Sequence, residues 1–347
     1  MPRVTGLDPG TVSLDGCVLE DGRVVEEWSL PTGEALADPE KLRARLAASG
    51  PIDLIAGPSG YGLPMIRAGT LRAEDVRLAL LPDPDSSGGL GGLGQLIRLL
   101  AESGLPVIFT PGVIHLPTVP AYRKLNRIDM GTADKVATAA LGIAEQAAAG
   151  SLAPHEVSFI LLELGGAFTA ALAVDAGKII DGIGGSAGPI GWRSSGGWDG
   201  EVAFLAGEIG KAALFQGGVE SALSAGRSRD EAVLAYVEGA EKAVRQLEAS
   251  LPAPREILVS GRRADEPGVM AQLEARLRRL APVRRLGAEG AGAKAGARGA
   301  AIIANGIAGG RHRDITDGLE LNGASGTVLD YLVAIDRTNA MRRLKLA

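Results

Sequence analysis

Apolar and polar positions along the chain fall into an order of elements that runs twice. Arg3–Leu7 reads as a short strand leading into Asp8-Pro9-Gly10-Thr11. Ser13–Glu20 and Arg23–Leu30 follow, and the Asp21-Gly22 between them is a hairpin signal. A helix opens at Asp38-Pro39-Glu40, carries Leu42, Leu46 and Ala47, and stops at Gly50. Asp53–Ala56 is a buried strand ending in GPSGYG. The Gly-rich stretch from Pro82 to Gly94 leads to a helix over Gln95–Ser103, and Pro106–Thr110 is a further strand. Asp129–Ala149 reads as a long Ala-rich helix.

The second run repeats the first. Val157–Leu164 is an apolar strand entering GGAFT, and Phe168–Val174 and Lys178–Gly182 are joined by Asp175-Ala176-Gly177. Helices are predicted over Arg229–Leu251 and Gly268–Leu280, strands over Ile257–Ser260 and Val283–Leu286, and a last small-residue helix over Ala293–Ile307. Each half reads βββ, helix, strand, helix, strand, helix. That order predicts an α/β protein of two similar domains, each a mixed sheet flanked by helices. The expected boundaries are 1–127, a connecting helix and hinge over 128–154, a second lobe over 155–310, and a tail over 311–347. The tail is expected to end in a helix over Thr327–Leu344.

Length and composition fit this division. The chain has 347 residues, 46% of them hydrophobic and 22% charged, which supports packed cores over disorder. A net charge of −5 disfavours sequence-independent nucleic-acid binding. One cysteine, Cys17, excludes an intramolecular disulfide framework, and three histidines disfavour a multi-His metal centre. No run of about 20 apolar residues predicts a membrane span. The opening MPRVTGLDPG lacks a basic segment followed by an apolar one, so no leader and a cytoplasmic location are expected. Glycine alone is out of line: 50 residues is about twice the usual ~7%. The glycines cluster between apolar runs, which suits close backbone approach to phosphates and tight turns.

Two constellations carry candidate chemistry. Gly10 and Thr11 in the turn after the first strand offer room and donors for a phosphate, and Asp8 is placed to hold Mg²⁺ through its water shell. The same residues also suit a plain β-turn. Glu163-Leu164-Gly165-Gly166 occupies the equivalent place in the second half. Two such turns facing each other across a cleft would hold a polyphosphate from both sides.

In that arrangement the chain resembles the superfamily of acetate and sugar kinases, actin and heat-shock chaperone ATPases. GLDPGT is similar to its first phosphate motif and ELGGAFT to its second, with Glu163 in place of the usual Asp and Ala167 in place of the usual Thr. Ile257–Arg262 resembles the adenosine motif, and Ala293–Ala308 the connecting helix near the C-terminus. GPSGYGLP (57–64), PGVIHLPTVP (111–120) and NRIDMGTADK (126–135) look most like a group of proteins predicted to be butyrate kinases. The resemblance implies two actin-like, ribonuclease H-like ATPase domains around a cleft. It also implies ATP and Mg²⁺ as cofactors, a small-molecule substrate and a homodimer.

The resemblance implies phosphates between Gly10-Thr11 and Gly165-Gly166, adenosine near Ser260, Gly261 and Arg262, and Asp8 and Glu163 ordering Mg²⁺. The activity it implies is ATP-dependent phosphorylation of a short-chain carboxylic acid to an acyl phosphate, a carboxyl acceptor being expected ahead of an alcohol; that transfer would need an arginine to neutralise charge, with Arg67, Arg123 and Arg127 as candidates. Transfer to an alcohol would need a base, for which Asp129 is the natural choice. Tyr61 and His115 are expected at the acceptor, with Trp192 and Trp198 as apolar walls. A sugar kinase, an ATPase acting on a partner protein and a nucleotide-binding regulator remain open alternatives. Closure of the domains about the two connecting helices is expected with turnover.

Overall fold

The computed structural model describes residues 1–10, 12–83, 92–287 and 294–346. The strands are β1 (Arg3–Pro9), β2 (Ser13–Glu20), β3 (Arg23–Pro31), β4 (Leu54–Gly57), β5 (Ile66–Arg67) and β6 (Val107–Phe109), then β7 (Ser158–Leu164), β8 (Thr169–Asp175), β9 (Lys178–Ile183), β10 (Glu256–Ser260) and β11 (Val283–Arg285). The first-half helices are α1 (Thr32–Ala37), α2 (Pro39–Ala48), α3 (Ala73–Leu80), α4 (Leu93–Glu102), α5 (Ala121–Lys124) and α6 (Ala133–Gly150). They are followed by α7 (Gly200–Ala206), α8 (Val219–Ser224), α9 (Arg229–Glu248), α10 (Val269–Leu277), α11 (Ala295–Ile307), α12 (Arg313–Gly318) and α13 (Arg337–Arg343).

The strands form two sheets of one topology. The first runs β3-β2-β1-β4-β6-β5 and the second β11-β10-β7-β8-β9. In each, the first three strands are an antiparallel meander, and the first strand also pairs in parallel with the fourth core strand, which in turn pairs in parallel with the fifth. β5 is an antiparallel addition at the edge of the first sheet. The central strands are apolar because both of their faces are covered. Parallel neighbours then put the C-terminal ends of β1, β4, β7 and β10 at one rim of each sheet.

Three apolar clusters follow. One lies outside the first sheet under α2, α3 and α4, and one outside the second sheet under α9 and α10. The third lies between the sheets and is built on α6 and α11. These two helices exchange places: α6 packs on β7 and β8, whereas α11, from the span 155–310 expected of the second lobe, packs on β1, β2 and β4. They cross at Gly299, where a Cβ would lie 1.8 Å from the Ala137 carbonyl oxygen.

The predicted C-terminal helix over Thr327–Leu344 is corrected to seven residues. Asp330 accepts from the Thr327 backbone N–H and hydroxyl, and the Asn126 side chain accepts from the N–H groups of Val333 and Ala334. Both contacts hold the chain out of helix until Asp336 accepts from Thr338 N–H and starts α13. Among the described residues no helix is long and apolar enough to cross a membrane.

Candidate active site

The two acidic turns face one another. Asp8 and Gly10, from the end of β1, and Glu163, Gly165 and Gly166, from the end of β7, wall one cavity of about 650 Å³. That volume lies within the ~300–1,000 Å³ typical of small-molecule sites. Ser260, Gly261 and Arg262, from the end of β10, line it too. So do Tyr61 and Asp129. Thr11 lies outside the described residues.

The Gly165-Gly166 turn and the Ser260–Arg262 turn are packed on each other. Gly261 has φ +85°, and a Cβ there would sit 2.3 Å from the Leu164 carbonyl oxygen, so only glycine fits. The Arg262 guanidinium lies over Gly166, where a Cβ would meet its Nη2 at 2.6 Å.

Asp8 faces a ring of charge. Opposite it in the β1–β2 ladder stands Asp15, whose Oδ2 is 2.5 Å from Lys294 Nζ. Lys294 Nζ also donates to the Ser13 carbonyl at 2.9 Å, directly above the Gly10 turn. Burial, with the nearby Asp134 and Glu163, pushes the Asp8 carboxyl up to about 7 against the opposing pull of Lys294 and Lys135. Gly296 gives this carboxylate its space, because a Cβ there would stand 2.6 Å from Oδ2.

At the start of α6, Lys135 Nζ bridges Asp134 Oδ2 at 2.5 Å and Glu163 Oε1 at 2.7 Å. Burial pulls the Lys135 pKa down, but the two carboxylates outweigh it and raise it. Burial holds Glu163 above its usual range despite Lys135. Burial also acts to raise Asp134, yet Lys135 and the Thr132 hydroxyl hold it below the usual range.

Asp129 marks the other end of the cavity. It does not cap α6, which starts only at Ala133. Instead Oδ1 accepts from Gly131 N–H at 3.1 Å, and Oδ2 accepts from the Ser186 N–H and hydroxyl at 2.9 Å each. Three neutral donors fix the carboxylate and leave one of its four acceptor positions open. Ser186 and Phe215 line the cavity beside it, a contribution the sequence reading did not single out.

Four expected residues stand elsewhere. Arg67 is on the edge strand β5, whose antiparallel return along β6 carries it to a separate shallow depression beside Met1, Asp53 and Ile307. Arg127 is exposed and does not line the cavity. His115 is buried against the tail: Nδ1 lies 3.2 Å from the Ser325 carbonyl, and the His115 carbonyl accepts from Ser325 N–H at 3.0 Å. Trp192 is a core side chain, edge-on to Tyr236 with ring centroids 5.6 Å apart and with the Arg263 guanidinium 4.2 Å above its face. Of the lesser candidates, Arg123 donates to the Ile180 carbonyl at 2.7 Å on β9, and Trp198 also lies off the cavity wall.

Residues 6–334 match the family described as protein of unknown function (DUF1464). The chain belongs to that family. No curated protein matches it. Among solved structures it is similar to a propionate kinase from Francisella tularensis subsp. tularensis SCHU S4, with TM-score 0.61 and 14% identity over 87% of this chain and 98% of that one. It is also similar to the acetate kinase of Porphyromonas gingivalis, with TM-score 0.54 and 16% identity over 81% and 88%. A third is the acetate kinase of Entamoeba histolytica, with TM-score 0.54 and 12% identity over 80% and 87%. At such identities the likeness shows the fold: two actin-like ATPase lobes with a cleft between them.

Proposed function

We propose that this chain is an ATP-dependent phosphotransferase acting on a small molecule with a hydroxyl acceptor. One observation carries the reading. Both acidic glycine turns, the adenosine turn and a fixed carboxylate, Asp129, wall the same cavity. The triphosphate would lie between Gly10 and Gly165-Gly166, with Lys294 and Arg262 neutralising charge and adenosine toward Ser260 and Gly261.

Mg²⁺ fits this donor set in one way. Among the described residues no cluster of three or more His, Cys, Asp or Glu side chains could cage a metal. The Asp8 carboxylate accepts no hydrogen bond from those residues, and burial beside Asp134 and Glu163 favours a cation at it. Asp8, with the Glu163 oxygen that Lys135 does not take, would hold a hydrated ion shared with the phosphates. When bound, the ion supplies charge neutralisation to the phosphates.

The resemblance to butyrate kinases points to a carboxyl acceptor, which needs an arginine at the transferring group. Arg67, Arg123 and Arg127, the arginines expected to serve it, all lie off the cavity, and the arginines that do line it, Arg262, Arg285 and Arg298, are not the ones that reading named. Asp129 is instead placed to take a proton from an alcohol, and a bare carboxylate acceptor beside it would be repelled.

The test pairs nucleotide titration with ADP release over a panel of polyols, sugars and acids. D129N is expected to lower kcat by about 10²–10⁴-fold. D8N is expected to abolish Mg-dependent turnover; unchanged turnover in both variants would sink the reading. Hydrolysis that no small molecule stimulates would favour an ATPase acting on a partner protein.

A further inference from the structure

Lys211 is a partly buried cation standing directly behind Tyr61, a residue of the cavity wall, and is not itself part of that wall. It opens a helical turn, Lys211–Phe215, in the stretch after β9. Its backbone N–H donates to both oxygens of Asp83, each at 3.2 Å, so the second half reaches over the first here. Its ammonium lies 4.8 Å from the centroid of the Tyr61 ring and 3.5 Å from the Tyr61 hydroxyl. Among the described residues no carboxylate stands within ion-pair distance of Nζ. Asp83 and Asp129 act on it only from farther off.

An ammonium taken out of water without a partner is unfavourable. Burial accordingly pulls its pKa down to about 8, which still leaves it charged at neutral pH. An aromatic face steadies such a cation but does not neutralise it. The neighbouring Tyr61 hydroxyl is a second donor, and Tyr61 lines the cavity with Asp129, Ser186 and Phe215. The acceptor end therefore presents two features side by side: a carboxylate suited to a hydroxyl, and behind Tyr61 a cation that no carboxylate among the described residues pairs.

Resting on the kinase reading above, we propose that the acceptor is a small hydroxy acid, its hydroxyl set against Asp129 and its carboxylate held by the Lys211 ammonium and the Tyr61 hydroxyl. The hydroxyl oxygen forms the new bond to the γ-phosphorus of ATP. The bond from that phosphorus to the β,γ-bridging oxygen breaks, and its electron pair leaves on ADP. The hydroxyl proton passes to Asp129. Lys211 stays charged throughout and transfers nothing.

The experiment measures Mg·ATP-dependent ADP release by the full chain on matched pairs, glycerate with glycerol and gluconate with glucose. Acetate and butyrate are run beside them, with hydroxylamine to trap any acyl phosphate. At least one acid is expected to exceed its neutral partner in kcat/KM by about tenfold or more, the worth of one charge-assisted hydrogen bond. K211M is expected to raise the KM for that acid by about tenfold, with K211R restoring most of it and the KM for Mg·ATP moving less than about twofold. The proposal is overturned if a neutral partner serves as well as its acid, if acetate or butyrate yields hydroxamate, or if K211M changes nothing. It is also overturned if no acid is turned over while titration shows Mg·ATP bound. Absence of Mg·ATP binding overturns the kinase reading itself, and the acceptor assignment with it.

Discussion

Lys135 Nζ lies 2.7 Å from Glu163 Oε1, which ties the first turn of helix α6 to the glycine turn at the end of β7. The pair is well shielded, with side chains 15% and 14% exposed, and Asp134 shares the same ammonium. Removing the cation leaves Asp134 and Glu163 near Asp8 with only the more distant Lys294 to offset them. K135M is therefore expected to cost about 3–5 kcal/mol in urea unfolding, the usual cost of orphaning a buried charge. K135M/E163Q should cost less than the sum of the single changes by about 0.5–3 kcal/mol. Additive costs would mean that the two groups do not act as a pair.

The crossing of α6 and α11 depends on one missing side chain. A Cβ on Gly299 would lie 1.8 Å from the Ala137 carbonyl oxygen, a backbone atom that cannot rotate aside. G299A should destabilise by about 1–3 kcal/mol or more and lower turnover through the altered approach of the lobes. G33A is the control: it lies in α1 with nothing within 4 Å, so alanine there should be neutral or stabilising by about 0.5–1 kcal/mol. Equal effects from the two would remove the packing argument.

Much of the frame was legible because it depends on local chemistry. Asp21 and Gly22 take φ of 50° and 73°, and Ala176 and Gly177 take 49° and 71°, the positive values that tight hairpins require. Those turns, with apolar runs on either side, were enough to read the duplicated meander. The turns at Asp8 and Glu163 were legible because acidic and glycine residues stand where apolar strands stop. Arg67 was misplaced because its location depends on β5 folding back along β6, a two-residue strand with no pattern of its own. The tail helix was overextended because Asn126, some two hundred residues away, holds the chain at Val333 and Ala334. Lys211 and Ser186 carry no local signal: their meaning comes from Tyr61 and Asp129, brought beside them only by the packing of the two halves.

The contact between Arg262 and Gly166 predicts a shared effect on nucleotide binding. The guanidinium crosses the Gly165-Gly166 turn within the cavity, where under the proposed function it would reach a phosphate oxygen. R262A should raise the KM for Mg·ATP by about tenfold. G166A would push the same side chain away, since its Cβ would meet Nη2 at 2.6 Å and Nε at 2.8 Å. The double variant should then resemble either single one. A rise equal to the product of the two separate effects would show that Arg262 does not act through this turn.

The pH response of Lys211 separates a binding role from a structural one by sign. Burial lowers its pKa from 10.5 to about 8, with Asp83 and Asp129 opposing the shift, and burial keeps the facing Tyr61 phenol above its ordinary range and so neutral through the same window. Between those values the unfolded chain holds a proton that the folded chain has lost. The contribution of this group to stability therefore rises with pH above about 8. Anion recognition goes the other way, because the neutral amine no longer attracts a carboxylate. The KM for the acid should climb as pH passes about 8, by up to about tenfold per unit, while the thermal midpoint of the nucleotide-free protein gains from this group. K211R should flatten the KM profile by keeping its charge. A KM profile that stays level through this window in the wild type, or rises just as steeply in K211R, would assign the pH effect to another group.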